Sequence, residues 1–135
     1  NDKECIIGKN IADKYKIDSK IFAETAIHIH FPEGAVPKDG PSAGVAITIA
    51  IISSLTNRLV DNNVAMTGEV TLRGKALPIG GLREKSLAAL RNGVTTIIVP
   101  KDNERDVSEL PDEVKNNMNI LFMTCVDDAV KVILQ

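Results

Sequence analysis

The chain of 135 residues has the size of one domain with one core, and its 44% apolar and 25% charged residues form an ordinary globular mixture, not a disordered one. A net charge of −2 gives no general attraction to nucleic acid or to an anionic membrane, leaving only a local patch for either. With three Phe, one Tyr and no Trp, there is little to stack on the bases of a single strand.

In chain order, residues from about Glu4 to Lys16 are expected to form an amphipathic helix, with Ile6, Ile7, Ile11 and Ala12 on one side and lysines on the other. "AETAIHIHF" alternates as a half-buried strand does, setting Ile27, Ile29 and Phe31 on one face and His28 and His30 on the other. "PEGAVPKDG" is a loop punctuated by Pro32, Gly34, Pro37 and Gly40. "PSAGVAITIAIISSLTN" is rich in strand-favouring Ile, Val and Thr, but its length and Pro41 predict a buried helix opening at Pro41.

"NVAMTGEVTLRGKALPI" has two apolar runs around turn-forming glycines and is expected to form strands. "LREKSLAALRNG" reads as a helix stopped by Gly93, and "VTTIIVP" as a buried strand. A short helix over "ERDVSELP", a strand over "MNILFMT" and a closing helix over "VDDAVKVIL" follow, with Asp127 or Asp128 in the first turn of the last helix. Strands and helices mixed in this order imply α/β or α+β packing.

Cys5 and Cys125 stand at opposite ends, with no C-x-x-C pairing, and are expected to be reduced thiols in a cytosol-like compartment. Nothing resembles a signal peptide, and the longest apolar run, Val45–Ile52, is too short to cross a bilayer. The opening "NDKECIIGKN" suggests a piece excised from something longer.

Several residues could carry chemistry. In a helix opening at Pro41, Ser42 would lie in the first turn, where unpartnered N–H groups and the positive end of the dipole can receive an oxyanion. Gly40, Ala43 and Gly44 leave room for a substrate backbone. The plainer alternative is that Asp39 caps the helix and Ser42 fills a first-turn position. A nucleophilic serine also needs a base. Lys85 is one candidate: on a helical wheel it falls between Ala88 and Ala89, away from Glu84 and Arg91, where desolvation would lower its pKa. The alternative is a lysine snorkelling at a solvated rim. His28 and His30 are the other candidates, their shared face also suiting a metal, although only Glu33 is near as a third ligand. "GEVTLRGKA" imitates a phosphate-binding loop, but five residues, not four, separate Gly68 from Gly74, and Ala76 replaces the magnesium-binding hydroxyl. A hairpin is the better reading.

The blocks "PEGAVPKDGPSAGVA", "MTGEVTLRGKALPIGGLREKSLAA" and "IIVPKDNERDVSELP" resemble the proteolytic domain of the ATP-dependent Lon proteases, from about Ile27 to the C-terminus and more loosely through the first helix. "PKDGPSAG" is similar to the soluble type. The resemblance implies an α+β fold like the second domain of a small-subunit ribosomal protein, with a mixed sheet and packed helices. It implies a Ser–Lys dyad of Ser42 and Lys85, 43 residues apart, with Thr67 holding the lysine and Asp39 and Gly40 in the loop that shapes the oxyanion site. It also implies an endopeptidase acting on unfolded, misfolded and regulatory proteins, a six-membered ring, and a cytoplasmic location, the alternative being the mitochondrial matrix. No cofactor is expected in this chain; ATP and magnesium belong to an ATPase module of the parent protein. The family's domain begins upstream with further strands, preceded by ATPase and substrate-collecting modules, and these are expected to be missing here. Two rival readings are a non-catalytic ring-assembly module of the same fold and a Ser–His pair using His28 or His30.

Overall fold

The computed structural model describes residues 13–18, 20–30 and 42–135. Two layers of helix enclose a small parallel sheet, and a separate antiparallel pair of strands stands beside it. In chain order the elements are α1 (Ile21–Glu24), α2 (Gly44–Thr56), β1 (Val64–Met66), β2 (Glu69–Val70), β3 (Ala76–Leu77), α3 (Leu82–Arg91), β4 (Thr96–Pro100), α4 (Glu104–Ser108) after a 3-10 turn at Lys101–Asn103, α5 (Asp112–Asn117), β5 (Asn119–Met123) and α6 (Val126–Ile133). This is the mixed α+β fold expected.

The parallel sheet has the order β1-β4-β5, with Ala65 opposite Ile97 and Ile98 opposite Leu121. β4 is central, and its side chains alternate between two cores. Ile98 joins Val45, Ile49, Ile52, Met123, Val126, Val130 and Ile133 on one face. Ile97 and Val99 join Leu82, Leu110, Val114 and Met118 on the other. Burial on both faces is why "VTTIIVP" reads as a continuous apolar run.

α2 forms despite its β-branched composition because Val45, Ile49 and Ile52 place a stripe on the core at helical spacing, and burying each contributes about 1.5–3 kcal/mol. The hydroxyls of Thr48 and Thr56 donate to carbonyls one turn back, at Gly44 (2.8 Å) and Ile52 (2.7 Å). α6 buries Val126, Ala129, Val130 and Ile133 against α2. Asp128, in its first turn as expected, accepts from the N–H groups of Thr124 and Cys125 and from the Thr124 hydroxyl. Burial alone would raise its pKa, but these bonds outweigh burial and hold the carboxyl below its ordinary value.

"GEVTLRGKA" is a hairpin, as read from sequence: β2 and β3 pair with Glu69 opposite Leu77, and the turn closes through Thr71 and Gly74. Two expectations need correcting. "AETAIHIHF" is not a strand: Ile21–Glu24 is a helical turn and residues 25–30 have no regular structure. Alternation creates a potential face but no hydrogen-bond partner, and among the described residues no strand pairs with 25–30, so Ile27 and Ile29 are about half exposed (50% and 48%). Phe31 lies outside the described residues, as does most of the helix expected over Glu4–Lys16. Of that helix, Asp13 and Lys14 are helical, and Lys16 has turned to φ 55. Finally, α2 begins at Gly44, not at Pro41.

Candidate active site

The late start of α2 has a specific cause. A helix opening at Pro41 would direct the Ser42 carbonyl into its own hydrogen-bond ladder. Instead that carbonyl accepts from the N–H of Gly68 at 3.0 Å, while the Gly68 carbonyl accepts from the N–H of Val45 at 3.1 Å. This reciprocal clasp satisfies one of the orphan donors of the first turn and fixes Ser42 in the turn leading into α2. Gly68 directly follows Thr67, whose N–H donates to the Ile98 carbonyl at 3.1 Å and continues the β1–β4 ladder. The backbone of Ser42 is thus tied to the end of the central sheet.

Lys85 arrives from the other side. It sits on the first turn of α3, which opens after Gly81 at φ 70, a left-handed conformation that suits glycine. Leu82 anchors this turn in the second core and Ser86 is fully buried. The Lys85 Nζ lies 2.7 Å from Ser42 Oγ and 3.5 Å from Thr67 Oγ1. Thr67 is itself buried, at 5% exposure. Residues 43 positions apart in sequence therefore meet at hydrogen-bond distance, with Thr67 beside them.

Burial lowers the Lys85 pKa below the ordinary lysine value. Among the described residues no carboxylate forms an ion pair with Lys85 to counter this. Ala88 is exposed and Ala89 is half-buried, so the expected pair of alanines supplies less of the desolvation than the helical wheel suggested. Glu84 is exposed, as that wheel required. A neutral amine at this distance can take the proton of the Ser42 hydroxyl, and Thr67 Oγ1 can accept from the amine as a second partner.

The histidines stand apart from this. His28 and His30 are exposed in the irregular segment 25–30, and the only side-chain hydrogen bond described for Ser42 goes to Lys85. Among the described residues no group of three His, Cys, Asp or Glu side chains is placed to hold a metal. Asp39, Gly40 and Glu33 lie outside the described residues, as does Cys5; Cys125 is buried.

The family of Lon protease (S16) C-terminal proteolytic domains matches residues 5–135. The chain belongs to this family. It is 55% identical over 123 residues to the Lon protease of Chloroflexus aggregans, 54% identical over 123 residues to that of Azospirillum brasilense, and 52% identical over 124 residues to that of Vibrio parahaemolyticus. These matches cover 91%, 91% and 92% of this chain but only 15%, 15% and 16% of the respective relatives. The chain is thus a Lon-type proteolytic domain that spans only a small part of the length of those relatives. Among the described residues no helix is long and apolar enough to cross a membrane.

Two features beside this candidate site were missed in the sequence. The Gly68 clasp on Ser42 left no signal beyond the glycine within "MTGEV". Asn103, buried behind the loop that leads to Lys85, lay unremarked inside the "IIVPKDNERDVSELP" block.

Proposed function

We propose that this domain hydrolyses peptide bonds through a Ser42–Lys85 dyad. The carrying observation is the 2.7 Å approach of Lys85 Nζ to Ser42 Oγ by an amine whose pKa is lowered by burial. Neutral Lys85 takes the hydroxyl proton as Ser42 Oγ bonds to the scissile carbonyl carbon. The oxyanion of the tetrahedral intermediate is held by backbone N–H groups near Ser42. On collapse the C–N bond breaks, and the Lys85 ammonium returns its proton to the leaving amine. Water enters and gives a proton to Lys85 as it attacks the acyl ester. The second collapse releases the acid, and Ser42 recovers its proton from Lys85. Thr67 keeps the amine oriented through both halves.

Membership of the family supports the following reading of the remaining features. The substrates are unfolded, misfolded or regulatory polypeptides, fed by an ATPase module of the parent chain that uses ATP and magnesium. No cofactor is bound by this domain itself, the parent forms a six-membered ring, and the protein works in the cytoplasm. The test uses the full-length protein. Ser42→Ala and Lys85→Ala should each abolish peptide cleavage, the double variant being little worse because a dyad acts as a unit, while ATP hydrolysis continues. A fluorophosphonate should label Ser42, as located by peptide mapping. Cleavage at the parent rate in either single variant, or labelling elsewhere, would remove the dyad from the mechanism.

A further inference from the structure

Asn103 is a polar side chain with 0% exposure, lying between the 3-10 turn after β4 and α4. Both ends of its amide are engaged. Oδ1 accepts from the Ile79 N–H at 3.0 Å, and Nδ2 donates to the Ile79 carbonyl at 2.9 Å. Nδ2 also donates to Asp106 Oδ2 at 2.7 Å. The first two bonds grip one residue by both its backbone groups, as a neighbouring strand would. A primary amide does this because it places one acceptor and one donor side by side; a carboxylate lacks the donor and an aliphatic side chain lacks both.

Ile79 is not an arbitrary residue to grip. It is followed by Gly80 and Gly81, and then by the first turn of α3, where the Lys85 N–H bonds to the Gly81 carbonyl at 3.1 Å. Two successive glycines form a swivel, the most permissive backbone the chain can offer. Upstream of the swivel, Asn103 holds the chain from 24 residues away; downstream, Leu82 holds it in the second core. With both ends held the swivel has one setting, and that setting brings Lys85 Nζ to Ser42.

We propose that Asn103 is a positioning residue for peptide cleavage: by clamping Ile79 it fixes the glycine swivel that aims Lys85 at Ser42. This deepens the dyad reading and rests on it. Asn103 touches neither dyad member; its effect is transmitted through the backbone from 79 to 85. A misplacement of the order of 1 Å at the reacting atoms costs about a hundredfold in rate, so a modest loosening is enough to be measured.

The experiment uses the full-length protein. Lys85→Ala comes first: if it cleaves at the parent rate, the dyad reading fails and this proposal fails with it. With Lys85→Ala inactive, Asn103→Ala tests the clamp itself. A folded Asn103→Ala should keep KM within about twofold and lose about a hundredfold in kcat. Its Lys85 Nζ, followed by isotope-edited NMR, should titrate nearer the ordinary lysine value, because a misaimed amine is better hydrated. A residue that only stabilised the fold would lower Tm and leave both readouts alone. Asp106→Ala, at an exposed position, removes only one of the three bonds and should shift kcat and the titration in the same direction by less. Parent-like kcat and Lys85 titration in a folded Asn103→Ala overturn the proposal. Should Asn103→Ala fail to fold, Asp106→Ala decides: a lower kcat with a shifted titration supports the clamp, and parent values of both overturn it.

Discussion

Lys85 can act as a base only in so far as it is neutral at working pH, and its surroundings decide that. Burial disfavours the ammonium, no carboxylate among the described residues pairs with it, and its nearest partners are the hydroxyls of Ser42 and Thr67. The sign follows directly. Protonation removes the base, so kcat/KM should rise with pH through the depressed lysine pKa and level off above it. A rising limb centred below the ordinary lysine value in the pH–rate profile of the full-length protein is the expected outcome. A limb at the ordinary value would mean that Lys85 is solvated in the working enzyme. Thr67→Ala should leave the limb in place or move it only slightly, because the 3.5 Å contact is long, while kcat falls as the amine loses its second partner. The sequence offered Lys85 as a candidate but could not tell desolvation from snorkelling. A wheel shows one helix, whereas Thr67 and Ser42 reach Lys85 from the end of β1 and from the turn before α2.

At the scale of elements, local signals were legible where the chain's own pattern controls the outcome. The hairpin at Thr71–Gly74, the helix ending at Gly93 and the closing amphipathic helix needed no distant partner to be read. Errors occurred where a distant partner decides: 25–30 lacks a strand to pair with, and the start of α2 moved to Gly44 because Gly68 captures the Ser42 carbonyl. Helix α5 is not among the elements expected from sequence, although Pro111 precedes it and Asp112 and Glu113 occupy its first turn, both ordinary opening signals. The glycines flanking α3 give a paired prediction. Gly81 opens the helix at φ 70 and Gly93 follows it at φ 78; a Cβ would meet nothing at Gly93 and only Glu84 Oε2, at an ordinary contact distance of 3.7 Å, at Gly81. Alanine at each should therefore cost about 1–2 kcal/mol from left-handed backbone strain alone. Only Gly81→Ala should depress kcat beyond that, because only Gly81 lies on the path that aims Lys85. Equal Tm losses with unequal kcat, measured well below both melting points, are expected; equal kcat would mean that the opening of α3 has no influence on the site.

For the whole molecule, the candidate dyad joins two cores. Ser42 leads into a helix packed in the core that Ile98 shares, and Lys85 stands on a helix packed in the core of Ile97 and Val99, with β4 between them. No local pattern could reveal this meeting; the family's ordered blocks supplied it from sequence, and the sheet supplies its physical cause. Stability of the first core depends on another long-range contact. The Tyr15 hydroxyl donates to Asp127, 112 residues away, in the first turn of α6. Asp127 is buried and also pairs with Lys14 at 2.7 Å. Burial first, and then this hydrogen bond and the charge of Asp127, raise the phenol pKa well above its ordinary value. Tyr15 thus stays protonated in the fold at a pH where the unfolded chain ionises. The contribution is complete below the ordinary tyrosine range of about 10, and falls as pH rises through it, because there the unfolded state binds fewer protons than the folded one. Tyr15→Phe should remove a charge-assisted hydrogen bond and lower stability by roughly 1–3 kcal/mol near neutrality. It should also flatten the decline of Tm between neutral and strongly alkaline pH, since phenylalanine has no proton to lose. The bonds of Tyr15 and Asp127 run to each other, to Lys14 and to Cys125 and not to either member of the candidate dyad, so kcat below the melting transition should be unchanged. Thermal unfolding of parent and variant across that pH range is the measurement, and parallel Tm curves would show that the Tyr15–Asp127 bond contributes nothing to alkaline stability.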